Sequence, residues 1–271
     1  MDIWRAVWLT QFITVFIINA FTLVVFARSR HLRRRNTYLI MNLTVADLLI
    51  AAISGPETIL LYTRDKNLEK GFGVLHVYLI ISDMCWIASL GNLVLISLER
   101  LHATLYPFRH CLVWKSIYYQ IIIFSWLGAL TRACVLHIIR MNNPVLADRY
   151  PWIICVVLAL AVLTTSYVII LLKFITRPHV QQLGSVISAE RKLSATLSIV
   201  SAASILTLLP WVIIICISIS SDRYLRIKFT PTRKIASTFY FLNSLLNPLI
   251  YTVRLTKFRR ASKEIFCKNN S

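Results

Sequence analysis

Acidic residues are scarce in this chain. Its 271 residues include 11 aspartates and glutamates against 30 lysines and arginines, a formal net charge of +19. Charge of either sign is scarce too, at 15% of residues, where a soluble domain carries about 25%. That shortage excludes an ordinary water-facing globule unless its apolar stretches are covered by something else. Long polar linkers, repeats and low-complexity segments are also lacking, so residues 1–271 read as a single domain. Short alternating strands are missing: the apolar runs far exceed the roughly ten residues of a barrel strand. No metal-spaced histidine pair lies in an apolar run, His76 and His137 are isolated in the sequence, and no enzyme constellation is recognisable.

What is present is apolar: 57% of the chain is hydrophobic. Seven stretches approach the roughly 20 apolar residues that cross a bilayer. They run over 3–27, 38–62, 73–102, 117–139, 151–174, 190–219 and 235–253. Breaks such as "ARSRHLRRRN", "YTRDKNLEKG" and "SDRYLRIKFTPTRK" hold most of the charge. The expected fold is an all-α membrane protein, a seven-transmembrane helix bundle. Sorting lysine and arginine by the side each break would occupy puts 18 of the 30 on one side, with only Glu99, Glu190 and Glu264 as acids there. The richer side is expected to be cytoplasmic. The N-terminus is then extracellular, the C-terminus cytoplasmic, and the first run a retained signal anchor rather than a cleaved peptide. A basic face against anionic membrane lipid and an intracellular partner accounts for the charge without nucleic acid. The six cysteines avoid the middles of the outside breaks, so no loop disulfide is expected.

Individual residues fall in a recognisable order along the runs. The first has Asn19 in "INAFTLVV" and the second has Asp47 in "NLTVADLL". The third ends in Glu99-Arg100 within "SLERLHATLYPFRH"; the fourth holds Trp126, the fifth Tyr167 and the sixth Pro210. The seventh reads "NSLLNPLIY", with Asn247, Pro248 and Tyr251. Over the whole chain this set resembles the rhodopsin-like (class A) G-protein-coupled receptors. "RLTKFRRASKEIFC", roughly 255–267, resembles their short amphipathic eighth helix and ends in a palmitoylation candidate, Cys267. "VADLLIAAISGPETIL" and "KEIFC" resemble melanocortin receptors, as does Ala159 in place of a proline in the fifth run; adenosine receptors share part of the pattern. The resemblance implies a plasma-membrane receptor that passes an extracellular small-molecule or peptide signal to a heterotrimeric G protein, with an effect on cyclic AMP.

The same resemblance implies roles for the polar residues. Asp47 in mid-membrane demands partners, and Asn19, Ser89, Asn243, Ser244 and Asn247 are the side chains available. In the family these positions resemble a buried sodium and water pocket; the other reading is a protonated Asp47 in a structural hydrogen-bond cluster. Cys85, where relatives often have asparagine, weakens the ion reading. Glu99 and Arg100 read either as snorkelling charges or as a switch in which Arg100 and Glu190 pair across the cytoplasmic mouth. Breaking that pair would let the sixth helix swing out. Pro107 starts a loop that resembles a G-protein contact and also reads as an ordinary turn. Tyr167 and Tyr251 would approach through water near Arg100, and Asn247-Pro248 supplies a kink.

The sixth run departs from the family: "TLLP" puts Leu208 where a tryptophan is usual, and Ser204 replaces an aromatic. Trp211 is expected to point elsewhere on the helix. Toward the outside, Glu57 and Asp83 are the nearest acids, beside Ser82, and are candidates for a basic group on a ligand. Ser82 lies five helical turns before Arg100, where amine receptors keep an aspartate. Asp83 is about 100° around from it, which counts against an amine receptor. Glu57 pairing with Arg64 or Arg140 is the alternative. Leu75 and Leu79 stand where melanocortin receptors have acids, against a calcium site. Phe241 stands where an opsin has its retinal-binding lysine, so no retinal is expected. Competing functions are a seven-helix decoy that does not signal and, with less support, a small transporter.

Overall fold

Where a chain meets hydrocarbon, each backbone N–H and C=O must be bonded within the protein, and a helix does this within one segment. The computed structural model describes residues 3–29, 32, 37–56, 72–176, 184–220 and 231–267. Over 72–75, 144–150, 184–194 and 218–220, and at 174, 215, 233, 256–257 and 266–267, the description is of the helix path alone. All regular structure among the described residues is helical. The long helices are α1 (Ile3–Arg28), α2 (Thr37–Leu49), α3 (Phe72–Leu105), α4 (Lys115–Asn142), α5 (Pro144–Thr176), α6 (Gly184–Ser220) and α7 (Pro231–Arg254). The shorter α8 (Thr256–Cys267) follows, and a one-turn helix, Pro107–Cys111, sits between α3 and α4.

Six stretches among the described residues are long and apolar enough to cross a membrane: Ile3–Arg28, Thr37–Ser54, His76–Leu105, Lys115–Asn142, Pro151–Lys173 and Ala195–Ile214. Helix α7 is not one of them. Its inward face is polar, with Ser237, Asn243, Ser244 and Asn247 all at most 4% exposed, while Phe239, Leu249 and Val253 point outward. The same inversion marks the whole bundle. Phe124, Ile138, Leu158, Leu171 and Leu206 are exposed, whereas Asn19, Asp47, Ser89, Asn92 and Arg100 are buried. A protein in water places such residues the other way round; this surface suits lipid.

Three expected boundaries shift, two of them beside prolines. Helix α5 runs from Pro144, not from 151, and carries Pro151 inside it. Pro144 supplies the favoured first-turn position. Helix α6 begins at Gly184 rather than at 190. The second run, expected as one helix over 38–62, passes into a π-helical turn, Ile50–Ser54, where Gly55 N–H bonds to the Ile50 carbonyl. Pro56 follows directly and cannot donate, and its ring crowds the preceding turn; a widened turn accommodates it. Residues 57–62 of that run lie outside the described residues.

Helix α3 packs against α2, α4, α5 and α6, and α7 packs against α6 and α1. Phe26 of α1 meets Phe258 of α8 with ring centroids 5.3 Å apart, tying α8 to the bundle. Helix α8 is two-faced: Phe258 and Ala261 are buried while Arg259, Arg260, Lys263 and Glu264 are exposed.

Candidate functional site

Helices α3 and α7 bring polar side chains to one carboxylate of α2. Asp47 Oδ1 accepts hydrogen bonds from Ser89 Oγ at 2.8 Å and Ser244 Oγ at 2.9 Å. Its Oδ2 accepts from Asn247 Nδ2 at 2.8 Å. The carboxylate is wholly buried. Asn19 joins indirectly, donating to the Val15 and Ser244 carbonyls at 2.9 and 3.1 Å. Asn243, also expected in this cluster, makes no hydrogen bond to Asp47, because it lies one residue and about 100° away from Ser244 on α7. The amide oxygens of Asn19, Asn243 and Asn247 are buried without a hydrogen-bond donor among the described residues. A second buried link was not foreseen: Trp126 Nε1 donates to Asn42 Oδ1 at 2.9 Å, and Asn42 Nδ2 donates to Asn92 Oδ1 at 2.6 Å. It joins α4, α2 and α3.

At the end of the bundle where α3 stops, Arg100 is fully buried and forks onto its neighbour Glu99 through Nε and Nη2. His110 Nε2 lies 3.2 Å from Glu99 Oε1, and Tyr118 Oη donates to the same oxygen at 3.3 Å. His102 and His110 face each other with their Nδ1 atoms 3.4 Å apart. The Glu190 side chain lies outside the described atoms, so the expected pair with Arg100 does too. Pro107 opens the one-turn helix after α3. That helix presents Phe108 at 86% exposure, with Leu112 and Trp114 also bare beyond it. His110 and Tyr118 were missed because their partner, Glu99, is reached only once the chain folds back past Pro107.

Tyr167 and Tyr251 do not bond each other. Tyr167 Oη accepts from Ser201 Oγ at 2.8 Å and donates to the Leu197 carbonyl at 3.3 Å, linking α5 to α6. Tyr251 Oη is buried without a partner among the described residues. Pro210 and Pro248 lie inside α6 and α7 as expected. Leu208 is buried and Ser204 Oγ turns back to the Val200 carbonyl at 3.0 Å. Trp211 stacks on Tyr240, centroids 5.5 Å apart. Around Tyr240 also stand Trp86 at 4.2 Å and Trp152 at 5.3 Å, and Trp86 reaches Phe241 at 5.4 Å. An aromatic cluster from α3, α5, α6 and α7 therefore gathers around Tyr240.

Asp83 accepts from Arg140 Nη1 at 3.2 Å, a link from α3 to α4. Ser82 Oγ shares a 2.6 Å hydrogen bond with Ser54 Oγ in the π turn. Both expected ligand groups are thus engaged within the bundle, and Glu57, the third, lies outside the described residues. Arg132 was overlooked. It is the only charge in the run 117–139, and that isolation was a readable signal. Cys267 ends α8, its side chain outside the described atoms.

A buried carboxylate thus gathers three helices, an arginine–glutamate fork lies at one end and an aromatic cluster lies toward the other. Residues 18–251 match the model of the seven-transmembrane receptor family of the rhodopsin type. The chain belongs to the rhodopsin family of seven-transmembrane receptors, and is a receptor rather than an enzyme.

Proposed function

We propose that this receptor spans the plasma membrane seven times, N-terminus outside, and couples a ligand held near Ser82, Asp83 and Glu57 to a heterotrimeric G protein. Helix α7 serves as the seventh span, its polar face turned inward, and α8 lies along the membrane surface with Cys267 placed for palmitoylation. The observation that carries the reading is the wholly buried Arg100, held by Glu99 at the basic end of the bundle. In the resting state Glu99 and Glu190 together restrain Arg100. Ligand binding moves α6, frees the guanidinium and opens a cleft for the G protein. Phe108, exposed on the turn that Pro107 starts, supplies an apolar contact for that partner. Tyr167, Pro210, Pro248 and Tyr251 are the parts that move. The unpartnered Tyr251 hydroxyl is available to meet Tyr167 once α6 shifts.

The Asp47 cluster fits a small hard cation in part. Asp47 and the donor-free oxygens of Asn19 and Asn247 are oxygen ligands of the type a sodium ion takes. Cys85, buried on α3, offers sulfur where such an ion wants oxygen. Asp47, Ser89 and Asn247 would hold the ion and stabilise the resting arrangement.

The likeness to melanocortin receptors bears on the helix framework. A basic ligand group reaching Asp83 would have to displace Arg140. Leu208 in the buried core favours a second reading, a receptor that reaches the surface and does not signal. Guanine-nucleotide exchange on purified G proteins, with receptor reconstituted in vesicles, separates the two. Wild type should accelerate exchange and Arg100→Ala should abolish it. No acceleration by wild type for any G-protein class would leave the decoy reading.

A further inference from the structure

Arg132 stands where the described bundle has no acid to meet it. It lies near the middle of α4, where a charge is costly and almost always has a task. Its Nε donates to Cys155 Sγ at 3.2 Å and its Nη2 to the Pro151 carbonyl at 3.2 Å. Both partners are neutral. Nη1 is buried and has no partner among the described residues, and Arg132 makes no ion pair among them. Its situation differs from that of the other arginines nearby or at the far end. Arg140 has Asp83, and Arg100 has Glu99. A neutral tie between α4 and α5 needs only a neutral hydrogen-bond donor, and a glutamine would serve. A guanidinium with Nη1 unmatched keeps a charged donor for an oxyanion.

The surroundings define the rest of the occupant. The residue after Pro151 is Trp152, whose ring meets Tyr240 and through it Trp86 and Trp211. Arg132 and Asp83 are both within electrostatic reach of Tyr240. Asp83 is answered by Arg140, and Arg132 is left without an acid among the described residues. We infer that Arg132 anchors the carboxylate of an amphiphilic organic acid whose apolar or aromatic body lies against Trp152 and Tyr240. The inference rests on the receptor reading and goes beyond it, adding an acid-binding subsite between α4 and α5 to the ligand region at Ser82, Asp83 and Glu57. The acid comes either from solution as a small aromatic acid or from the membrane as a fatty acid.

The test uses purified full-length receptor in nanodiscs of zwitterionic lipid, followed by thermal unfolding. Indole-3-acetate and laurate are titrated against their methyl esters, in wild type, Arg132→Gln and Arg132→Met. One acid should raise the wild-type midpoint saturably. Its ester should not, and both variants should lose at least tenfold in apparent affinity. The acid that acts identifies the source. The ligand-free midpoints of the variants should stay within a few degrees of wild type, because no ion pair is lost. The inference is overturned if neither acid shifts wild type, if the esters act equally, or if the variants respond as wild type does. It is overturned too if both variants melt far below wild type, since Arg132 is then a structural tie. None of these outcomes depends on G-protein coupling, so the receptor reading stands or falls separately.

Discussion

Replacing Asp47 with alanine removes the single acceptor on which Ser89, Ser244 and Asn247 converge at 2.8, 2.9 and 2.8 Å. Water has no ready access, since Asp47, Ser89, Ser244 and Asn247 are all at most 2% exposed. The three donors do not suffer equally. A serine hydroxyl in a helix can rotate to the carbonyl one turn back, as Ser204 does to Val200. The Asn247 amide has no such retreat, and its oxygen already lacks a donor. An orphaned buried donor costs about 1–3 kcal/mol. With the hydroxyls at the low end and the amide at the high end, Asp47→Ala should destabilise by about 3–5 kcal/mol. Asp47→Asn keeps the shape and one acceptor oxygen, and should cost about 1 kcal/mol. At about 2–4 °C per kcal/mol for a domain of this size, the alanine variant should melt roughly 6–20 °C lower and the asparagine variant roughly 2–4 °C lower. Tryptophan fluorescence of detergent-solubilised receptor during heating reads both. Equal midpoints for the two variants in potassium buffer would refute the hydrogen-bond argument. A penalty for Asp47→Asn that appears only in sodium buffer would instead assign the carboxylate's role to its charge and a bound ion.

Other outcomes follow from single contacts. Trp126→Phe leaves Asn42 Oδ1 without the Nε1–H donor at 2.9 Å, and should lower stability by about 1–2 kcal/mol in the same melting assay. Gly55→Ala would place a Cβ 2.8 Å from Phe12 Cγ; forcing α1 away from the end of the π turn should destabilise by about 1–3 kcal/mol. Gly91→Ala meets nothing within 4 Å and should melt at or slightly above wild type. A double-mutant cycle on Asp83→Asn and Arg140→Gln should give a coupling of about 1 kcal/mol, because the pair at 3.2 Å is 16% and 23% exposed. A coupling near zero would mean that the pair contributes nothing to stability.

Helix positions were legible because the apolar runs are long and the breaks between them charged. The Asp47 cluster was legible because Asp47 is an acid inside an apolar run, which demands partners from the neighbouring runs, and Ser89, Ser244 and Asn247 supply them. What escaped depends on rotation about a helix axis and on chain reversal. Asn243 was grouped with Asp47 although its neighbour Ser244 faces the carboxylate instead. The π turn before Pro56 alters the phase of α2 locally, which hid the Ser54–Ser82 contact. His110 reaches Glu99 only because the chain reverses at Pro107. The stacking of Trp211 on Tyr240 depends on which rings α7 brings up to α6, and no spacing along α6 shows it. Arg132 was visible as an isolated charge, but its neutral partners belong to α5 and could not be paired with it from sequence alone.

The central claim is that acids restrain Arg100 in the resting receptor. Its most direct test is ligand-free cyclic AMP in cells expressing wild type, Glu99→Gln or Glu190→Ala, normalised to surface receptor and read with and without forskolin. Both variants should move cyclic AMP further from the untransfected level than wild type does, upward for stimulatory coupling or below the forskolin level for inhibitory coupling. Variants that reach the surface and leave cyclic AMP at the wild-type level in both conditions would contradict the claim.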